Sequence, residues 1–486
     1  MQAVTDLREV ACFDDEADVV VLGYGIAGSC AALEARRCGG DVLVVERTSG
    51  GGGNCSLSSG IFYLGGGTAV QRAAGFDDTP ENMYRFLIAS MGPERALAIR
   101  RYCDHSVAHF EWLEAQGIVF ERSYFPDKAV WTPGTEGLIG SGNEHVWPYC
   151  EIAHAIPRGH QVAVAGEASG IGAMVPLLAR CKEEGVRVLH DGQATALIVD
   201  EAGCICGATV RRAGQMLHLR ARHGVVLATG GFGMSAEMLA RYFPGLPEST
   251  VPSGTPQTDG AGIRLAEVAG AVTSGMTGMI PSASIYPPAQ LIKGILVNRR
   301  GQRFVAEDSY HGRIGAFVAE QPEGRAFLIV DSDIFAYPEI GFHNHRLVDG
   351  FDTIEEMEQK LELPGGALAE TIARYSRDAA GGVDTLFFKG SNWLKPLDKG
   401  PWAAFDISFD RSNYLYITLG GLVTDEEARV LTADGSEIPG LFAAGACTAQ
   451  FSRDGKSYAS GISLGTGSYF GRIAGRNAVR AANPHA

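Results

Sequence analysis

Apolar and polar residues in the first fifty positions fall into blocks that predict a strand, a helix and a second strand. Apolar residues from Val19 to Leu22 predict a buried strand, and those from Ser29 to Cys38 predict a helix. A second apolar run, Val42 to Val45, predicts a strand that ends at Glu46. Because Gly23-x-Gly25-x-x-Gly28 separates the first strand from the helix, the block predicts a βαβ unit with a glycine turn.

Each of the three glycines has a defined place in a dinucleotide site. Gly23 permits the sharp turn, Gly25 lets a pyrophosphate approach the backbone, and Gly28 lets helix and strand pack closely. The helix N-terminus faces the phosphates, and Glu46 accepts hydrogen bonds from the ribose hydroxyls. A bare glycine motif often marks only a loop. Here strand, helix, second strand and acidic residue all fall in place, which predicts dinucleotide binding.

A tract rich in glycine and serine, RTSGGGGNCSLSSGIFYLGGG, follows Glu46 directly. NAD needs no such tract, whereas FAD extends its ribityl chain and isoalloxazine ring across further backbone amides. The tract therefore favours FAD, and a flexible loop is the plainer alternative for Gly50 to Gly53. The cofactor contacts predicted in it are Arg47, Ser49, Gly52, Gly53, Asn54, Ser59 and Gly60.

Composition and charge narrow the possible functions. The chain has 486 residues, of which 45% are hydrophobic and 20% charged, as expected of a globular protein with two or three domains. Its 56 acidic residues outnumber 41 basic ones, and the net charge of −15 argues against nucleic acid as a partner. The acidic amino-terminal residues do not fit a secretory signal, so we expect a cytoplasmic protein.

The sequence predicts neither a membrane span nor a metal site. The longest uncharged stretch, Gly270 to Ile292, contains three prolines, so a membrane helix is not expected there. The ten cysteines form no C-x-x-C motif, and Cys204 and Cys206 are the one close pair. This pattern indicates reduced thiols rather than a disulfide framework, a zinc site or a covalently attached haem.

Two later apolar strands run into small residues, GVVLATGGFG from Gly224 and IPGLFAAGACT from Ile438, and TDGAGIRLAEVAGA from Thr258 predicts a turn before a helix. With the βαβ unit, these motifs resemble the fumarate reductase/succinate dehydrogenase flavoprotein superfamily from Asp18 to about Ala478. In that family the first strand passes the adenosine end of FAD and the second passes the flavin. The resemblance implies further cofactor contacts at Ile26, Ala27, Ala194, Ala228, Thr229, Gly230, Asp259, Gly445, Ala446, Ser463 and Leu464.

The resemblance implies an α/β fold with a Rossmann-like FAD-binding domain and an inserted α+β cap. The FAD-binding domain is expected at residues 1–272 and 402–486, and the cap at residues 273–401. The family's covalent histidine attachment lies in the glycine-serine tract, and Gly50 to Gly60 contains no histidine, so we expect noncovalent FAD. No second G-x-G-x-x-G indicates a pyridine-nucleotide domain, which leaves the electron acceptor unidentified.

Two cationic groups of the dicarboxylate-using members are missing. Those members carry a histidine in H-x-T-x-G-G and an arginine before a later Leu-Gly, because a dianionic substrate needs cationic clamps. At the position of the histidine motif this chain has YITLGG, Tyr416 to Gly421. At the position of the arginine motif it has GISLGTG, where Ser463 occupies the arginine position. Fumarate is therefore not the expected substrate.

Neutral hydroxyls are present instead of clamps. The segment SYASGISLGTGSYFG contains Tyr458 and Ser460, and RFVAEDSYHGRIG contains Tyr310. Both segments resemble the 3-ketosteroid Δ4-dehydrogenases, which implies an apolar steroid substrate oxidised at C4–C5. A 3-ketosteroid Δ1-dehydrogenase or another fumarate-reductase-like ene reductase is the alternative. A flavin-binding redox protein without turnover is the alternative of another class.

The expected chemistry assigns roles to these hydroxyls. Oxidation at C4–C5 needs a base for the C4 proton and a hydride acceptor, flavin N5, for C5. We predict Tyr458 as the base, although a phenol has a pKa of about 10 in water. Ser460 is predicted to donate a hydrogen bond to Tyr458, and the N-terminus of a helix starting near Gly461 is predicted to favour the phenolate. Tyr310 is predicted to hold the ring-A region.

Three other polar residues lie outside this set. Arg313 lies in the region that supplies the proton-donating arginine in fumarate reductases. It is predicted either to donate a proton in the same way or to form a structural salt bridge. His343 and His345 in GFHNHR are spaced like a metal pair. They have no acidic or cysteine partner at ligand spacing, so we predict surface or cap residues and no metal.

Overall fold

The structure, a computed structural model, describes residues 4–140 and 142–480. In this part of the chain nine strands form a central sheet. Seven of them lie side by side in the order Thr5–Asp6, Gly192–Val199, Ile205–Arg212, Gln215–Leu227, Asp15–Leu22, Val42–Val45 and Arg187–Leu189. The other two are Glu437–Ala443, which pairs with Gln215–Leu227, and Arg429–Leu431, which pairs with Glu437–Ala443.

The middle of this sheet is parallel and apolar. Val21 pairs with Val44 on one side and with Val226 on the other, and Val226 pairs with Phe442. Helices cover both faces of a parallel sheet, so its strands are apolar throughout rather than alternating. In an open parallel sheet ligands bind at the carboxyl edge. That edge is where the glycine turn after Leu22 begins.

The βαβ unit forms, with limits that differ slightly from the predicted ones. The first strand begins at Asp15, upstream of the predicted Val19. The helix spans Ile26–Arg37 and has Gly25 as its N-cap, so residues predicted as part of the turn already form its first turn. The second strand is Val42–Val45, as predicted. We call Ile26–Arg37 the phosphate-loop helix.

The carboxy-terminal helix, Ile462–Arg480, packs along the phosphate-loop helix. A Cβ on Gly471 would lie 2.4 Å from the carbonyl oxygen of Ala27, and one on Gly475 would lie 2.0 Å from that of Ala31. Backbones this close leave room only for glycine. The glycine spacing of the tail therefore serves the packing of two helices.

The remaining elements around the central sheet are mostly helical. The helices are Gly53–Leu57, Ala69–Ala73, Pro80–Met91, Ala96–Asp104, Ser106–Ala115, Tyr149–Ile152, Ile171–Glu183, Ala236–Tyr242 and Ala261–Val268. A small sheet has the strand order Ile61–Tyr63, Gly159–Gln161, Leu138–Ile139 and Tyr124–Phe125. This sheet lies against the start of the carboxy-terminal helix, since the Tyr63 amide donates to the carbonyl oxygen of Gly461.

The inserted cap has its own sheet and its own apolar core. Its antiparallel strands, in spatial order, are Ile295–Asn298, Ala326–Asp331, Trp402–Asp406 and Arg346–Phe351. Its helices are His311–Ala319, Ile354–Lys360 and Ala367–Ala380. The core cluster runs from Ala283 to Tyr414. The sheet thus includes a strand just beyond residue 401, and the predicted domain limits stay predictions.

Two short sheets join the cap to the FAD-binding domain. Leu415–Thr418 lies between Val251–Pro252 and Met279–Ser282, and Thr273–Ser274 pairs with Gly421–Leu422. Among the helices of residues 4–140 and 142–480, none has the length and apolar character needed to cross a membrane. Over the same residues, histidine, cysteine and acidic side chains form no cluster suited to a metal ion.

Candidate functional site

The glycine turn places the N-terminus of the phosphate-loop helix at the carboxyl edge of the sheet. Gly23 has φ of 107°, and a Cβ there would lie 2.4 Å from the Ala228 carbonyl oxygen. A Cβ on Gly28 would lie 2.0 Å from the Gly23 carbonyl oxygen. At Gly25 the nearest atom is the Gly52 oxygen, 3.8 Å away. Two glycines therefore permit close packing, and the third leaves space beside the helix N-terminus.

A cavity of about 530 Å³ opens at this edge of the sheet. It is lined by residues from every motif that predicted the cofactor. The predicted residues in its lining are Gly23, Gly25, Ile26, Ala27, Glu46, Arg47, Gly53, Asn54, Ala194, Ala228, Thr229, Gly230, Asp259, Gly445, Ala446, Tyr458, Ser463 and Leu464. Segments that are far apart in the sequence thus meet around one volume.

The remaining predicted residues lie outside that lining. Gly28 packs inside the turn, and Gly52 donates its amide to the Tyr24 carbonyl oxygen. Ser49 is exposed. The Ser59 carbonyl accepts from the Ser169 hydroxyl at 2.6 Å, and Gly60 packs against Val162. Tyr310 and Ser460 are also outside the lining, and the Tyr310 ring stacks on that of Tyr458.

Glu46 is held in place by the backbone at one end of the cavity. One carboxylate oxygen accepts from the Tyr24 amide at 2.9 Å, and the other accepts from the Thr48 amide at 2.9 Å and hydroxyl at 2.7 Å. Arg47 forms an ion pair of 2.7 Å with Asp259 across the same end. A carboxylate fixed in this way is suited to accept hydrogen bonds from a ribose.

The cavity fits an FAD molecule in its chemistry. At Gly53 and Gly230 a Cβ would find its nearest neighbours only at 3.5 and 3.9 Å, so side chains there would fill the cavity. The free backbone of Gly25 at the helix N-terminus suits the pyrophosphate. Gly254 and Thr255 also line the cavity and were missed from the sequence. The one available signal was their position just before Thr258.

At the other end of the cavity, Tyr458 meets the start of the carboxy-terminal helix. Its hydroxyl donates to the Ser463 hydroxyl at 3.0 Å. Burial raises the pKa of Tyr458, and hydrogen bonds from the side chain and the backbone of Ser463 oppose that shift. The prediction that Ser460 supports Tyr458 is therefore wrong, because Ser463 has that place. The expected helix N-terminus does face the phenol, although the net shift of the pKa is upward.

Ser460 instead acts on Tyr310. Burial raises the pKa of Tyr310 well above its usual value, the neighbouring Tyr458 raises it further, and a hydrogen bond with Ser460 opposes the shift. The rings of Tyr310 and Tyr458 stack with centroids 5.9 Å apart and an interplanar angle of 30°. The structure thus brings the three predicted catalytic residues together. We call Tyr310, Tyr458 and Ser460 the hydroxyl set.

Asn143 links the two tyrosine segments and was missed from the sequence. Its side-chain amide donates to the Tyr458 carbonyl oxygen at 2.5 Å, and its side-chain oxygen accepts from the Tyr310 amide at 3.4 Å. Asn143 begins the short helical turn Asn143–His145 and is buried. It belongs to no recognisable motif, so nothing in the sequence pointed to it.

Nitrogen groups lie behind Tyr310. The His311 and Tyr310 rings are 4.1 Å apart, and burial lowers the pKa of His311 to about 3. The Tyr286 hydroxyl lies 3.5 Å from Nδ1 of His311. The Lys128 ammonium donates to the Asp308 carbonyl oxygen at 2.5 Å, and desolvation lowers its pKa to about 8. At neutral pH the His311 ring is thus uncharged, whereas Lys128 still carries most of its positive charge.

Arg313 is held by a backbone carbonyl and by aromatic rings. Its guanidinium donates to the Lys456 carbonyl oxygen at 2.9 Å and to the Tyr149 hydroxyl at 3.4 Å. It also lies over the rings of Tyr149 and Phe317. These contacts join the cap helix His311–Ala319 to the segment that precedes Tyr458. These contacts favour a structural role for Arg313. The role depends on hydrogen bonds and ring contacts, whereas the predicted structural role depended on a salt bridge.

The two histidines of the GFHNHR segment are cap residues, and one of them is buried. His343 is 4% exposed, so of the two predicted alternatives, surface or cap, it has the cap position. Its Nδ1 lies 3.2 Å from the Asn413 carbonyl oxygen. His345 lies between the Ser412 hydroxyl and the Ser284 carbonyl oxygen, at 3.1 and 3.2 Å. Backbone and hydroxyl groups therefore contact one ring nitrogen of His343 and both of His345.

Comparison with known proteins identifies the family. The family model described as FAD binding domain matches residues 18–463. The chain belongs to this FAD-binding family. A protein named 3-oxo-5-alpha-steroid 4-dehydrogenase, from Comamonas testosteroni, is 28% identical over 89% of this chain and 93% of its own length. FAD, predicted from the sequence as the cofactor, is thereby confirmed.

Solved structures of this FAD-binding family extend the comparison. The 3-ketosteroid-Δ4-(5α)-dehydrogenase of Rhodococcus jostii RHA1, in complex with 4-androstene-3,17-dione, is 40% identical, with a TM-score of 0.92 over 99% of this chain and 100% of that one. The 3-ketosteroid Δ1-dehydrogenase of Sterolibacterium denitrificans shares the fold, with a TM-score of 0.71 at 22% identity over 96% and 100%. The predicted resemblance and the fold of FAD-binding domain plus cap are confirmed.

Proposed function

We propose that this chain oxidises the C4–C5 bond of a 3-ketosteroid with FAD and releases a 4-ene-3-ketosteroid. The observation that carries the proposal is the buried hydroxyl set beside one end of the FAD cavity. Tyr310 and Tyr458 are 7% and 6% exposed, and they supply neutral groups where a dicarboxylate would need cations. A large apolar ketone needs apolar walls with a few neutral hydrogen-bonding groups.

The reaction removes one proton from C4 and one hydride from C5 of the substrate. Bound FAD supplies the hydride acceptor, its N5 atom. The chain supplies the rest. The phosphate-loop helix and Glu46 bind the cofactor, and the apolar walls of the site exclude water. The hydroxyl set accepts the proton from C4 and donates a hydrogen bond to the C3 oxygen.

Tyr458 is suited to polarise the C3 ketone. Because burial raises its pKa, the phenol keeps its proton at neutral pH. It can donate to the ketone when the Ser463 hydroxyl, its acceptor in this structure, rotates to donate to the phenol oxygen instead. Negative charge that develops on the C3 oxygen as the C4 proton leaves is stabilised by such a donor. The Ser463 hydroxyl and the helix N-terminus are placed to support the phenol oxygen when charge reaches it.

Ser460 and Tyr310 are suited to receive the C4 proton. They form the second hydroxyl pair of the set, beside the ring of Tyr458. A serine oxygen that accepts the proton can pass its own proton to the Tyr310 oxygen. Tyr310 must then release its phenolic proton towards solvent for the pair to stay neutral, because a buried charge is costly. His311 packs on Tyr310 and is uncharged at neutral pH.

The role of Tyr458 as base remains the competing assignment for the same reaction. It requires an ionised phenol, and burial opposes the ionisation. The two assignments differ in pH dependence. A base must lose its proton first, so turnover would rise with pH towards the phenol pKa. A neutral donor would instead keep its activity until the phenol ionises.

The positions of the missing clamps also favour a neutral substrate. Ser463 has the place of the arginine and contacts Tyr458. Tyr416 has the place of the histidine, and its buried hydroxyl donates to the Gly233 carbonyl oxygen at 3.1 Å. A dianion would meet no charged partner at either position, and burying it would be costly. We accordingly place succinate and fumarate outside the substrate range.

We further infer that FAD is held noncovalently, that residues 273–401 act as the cap, and that the protein works in the cytoplasm with an external electron acceptor. A Δ1-dehydrogenase remains the runner-up activity. A flavin-binding protein without turnover is less consistent with the structure, because such a protein needs no second wall with a hydroxyl set over the flavin end of the cavity.

Anaerobic mixing tests the proposal. A 5α- or 5β-saturated 3-ketosteroid should bleach the oxidised flavin band, and the extracted steroid should be the 4-ene-3-ketone. Succinate at the same concentration is the matched control and should leave the band unchanged. If succinate bleached the flavin, or if none of the ketosteroids tried did so, the steroid assignment would be rejected. The assignment of the flavoprotein fold would not be affected.

A further inference from the structure

An exposed aromatic pair bridges the FAD-binding domain and the cap. The rings of Trp147 and Phe388 stack with centroids 5.1 Å apart and an interplanar angle of 21°. Trp147 is 48% exposed and Phe388 is 46% exposed. Exposed aromatic rings that pack on one another form a contiguous apolar surface, and contiguous apolar surfaces mark interaction or ligand-binding sites. Neither ring belongs to the FAD cavity or to the hydroxyl set.

On the FAD-binding side, the pair lies within reach of the hydroxyl set. Asn143 contacts both Tyr458 and Tyr310 through its side chain. Trp147 follows four residues later in the chain, so its Cα lies at most about 14 Å from that of Asn143. A rigid four-ring steroid whose ring A lies at the hydroxyl set extends over a span of this order.

On the cap side, the loop that carries Phe388 is hydrogen-bonded to the segment that contains Tyr310. The Gly390 amide donates to the Asp308 carboxylate at 2.9 Å, two residues before Tyr310. Phe388 in turn precedes Gly390 by two residues. The aromatic pair is therefore attached at both ends to residues that adjoin the hydroxyl set.

Hydrogen bonds and an ion pair anchor the loop on both sides of Phe388. The Asp384 carboxylate accepts from the Leu386 amide at 3.1 Å and from the Lys389 amide at 3.3 Å, and it pairs with the buried Arg303 at 2.9 Å. The Lys389 ammonium donates to the Gly294 carbonyl oxygen at 2.7 Å inside the cap. These anchors hold the backbone on both sides of the exposed ring.

Phe388 also has an unfavourable backbone conformation. Its φ is 58°, in the left-handed region that a bulky L residue rarely adopts. Glycine would be the low-strain residue here, so the sequence keeps an aromatic ring at some cost in stability. Strain of this kind concentrates at ligand-binding sites. Val383 and Leu386 on the same loop are also exposed, at 60% and 42%, which makes this part of the loop surface apolar.

We propose that Trp147 and Phe388 form the subsite for the distal, ring-D end of the steroid whose ring A is held at the hydroxyl set. The inference rests on the proposed function. The occupant is argued from the exposed apolar side chains of the pair and its loop and from their attachment beside Tyr310 and Tyr458. The pair thereby determines which ring-D substituents are accepted and contributes to affinity, with no part in the bond-breaking steps.

The test compares a whole steroid with a truncated one in anaerobic stopped-flow titrations of flavin bleaching. The truncated probe is a saturated bicyclic 3-ketone that represents rings A and B alone. The variants are Trp147→Ala and Phe388→Gly, and the second removes the ring while relieving the positive φ, so it keeps the fold. Phe342→Ala is the matched control, because Phe342 is another cap aromatic, 51% exposed.

Both variants should weaken steroid binding by about tenfold, with the limiting bleaching rate changed by less than about twofold. Their affinity for the bicyclic ketone should equal that of the wild type, and Phe342→Ala should behave as wild type with both probes. Equal weakening for both probes, or unchanged steroid affinity, would overturn the subsite while the function stands. Unchanged affinity with an altered oligomeric state would assign the pair to a second copy. Failure of every steroid to bleach the wild type would overturn the function and the subsite together.

Discussion

The Tyr458 hydroxyl donates a hydrogen bond of 3.0 Å to the hydroxyl of Ser463, the second residue of the carboxy-terminal helix. This contact places a phenol, a serine and a helix N-terminus at one end of the FAD cavity. It leaves Ser460 free to pair with Tyr310. In the proposed reaction, this division of the hydroxyls into two pairs separates polarisation of the ketone from transfer of the proton.

Replacing Tyr458 by Phe removes one oxygen and leaves the apolar wall intact. Turnover of a saturated 3-ketosteroid should fall by about 10² or more, because the donor to the C3 oxygen is lost. Flavin content should stay normal. Tyr414→Phe is the matched control, since its buried phenol donates to the Ile407 carbonyl oxygen at 2.7 Å inside the cap. That variant should lose about 1 kcal/mol of stability and keep its turnover.

The two serines should have separable effects on the tyrosines. Ser463→Ala removes a group that lowers the pKa of Tyr458, so that pKa should rise further, whereas Ser460→Ala should leave it unchanged and raise that of Tyr310. Ultraviolet difference titration against Tyr458→Phe measures the phenol directly. Equal shifts in both serine variants would contradict the pairing.

Turnover should show no rise that depends on Tyr458 as the pH increases through the neutral range. Burial raises the folded-state pKa above its ordinary value of about 10, so the active, protonated phenol persists below that pH and is lost above it. Comparison of kcat as a function of pH for the wild type and Tyr458→Phe checks whether ionisation of Tyr458 lowers or raises turnover. If turnover of the wild type alone climbs steadily towards pH 10, Tyr458 is the base after all.

Gly25→Val should abolish FAD binding without unfolding the protein. The added side chain would occupy the space beside the helix N-terminus where the backbone is otherwise free. The ratio of flavin to protein absorbance after purification, with circular dichroism for the fold, measures both effects. Gly365→Ala is the control, because no atom lies within 4 Å of its added Cβ. Retention of flavin by the valine variant would show that the pyrophosphate lies elsewhere.

Acid precipitation of the wild type should release the yellow colour into the supernatant as intact FAD. Gly50 to Gly60 contains no histidine to form the family's covalent link. Chromatography of the supernatant distinguishes FAD from FMN. Colour that stayed with the pellet would show a covalent attachment.

The phosphate turn could be predicted in detail because its information is local. Gly23, Gly25 and Gly28 lie within six residues and act through backbone geometry. The meeting of Tyr310 with Tyr458 was accessible only through the family motifs, since nothing local relates the two segments. Asn143, which joins them, has no motif at all.

The partner of Tyr458 was mispredicted for a geometric reason. Sequence proximity favoured Ser460, two residues away. Gly461, with φ of 89°, turns the chain just before the helix at Ile462, so Ser460 and Ser463 face different tyrosines. The direction of the pKa shift was equally inaccessible, because it depends on burial that the fold alone provides.

The most direct test of the central claim is a deuterium comparison in the anaerobic bleaching reaction. A saturated 3-ketosteroid carrying deuterium at C5 should bleach the flavin more slowly than the unlabelled compound, because the C5 hydride leaves in that step. The same steroid labelled at C1 should react at the unlabelled rate. Slowing by the C1 label alone would make the protein a Δ1-dehydrogenase and would contradict oxidation at C4–C5.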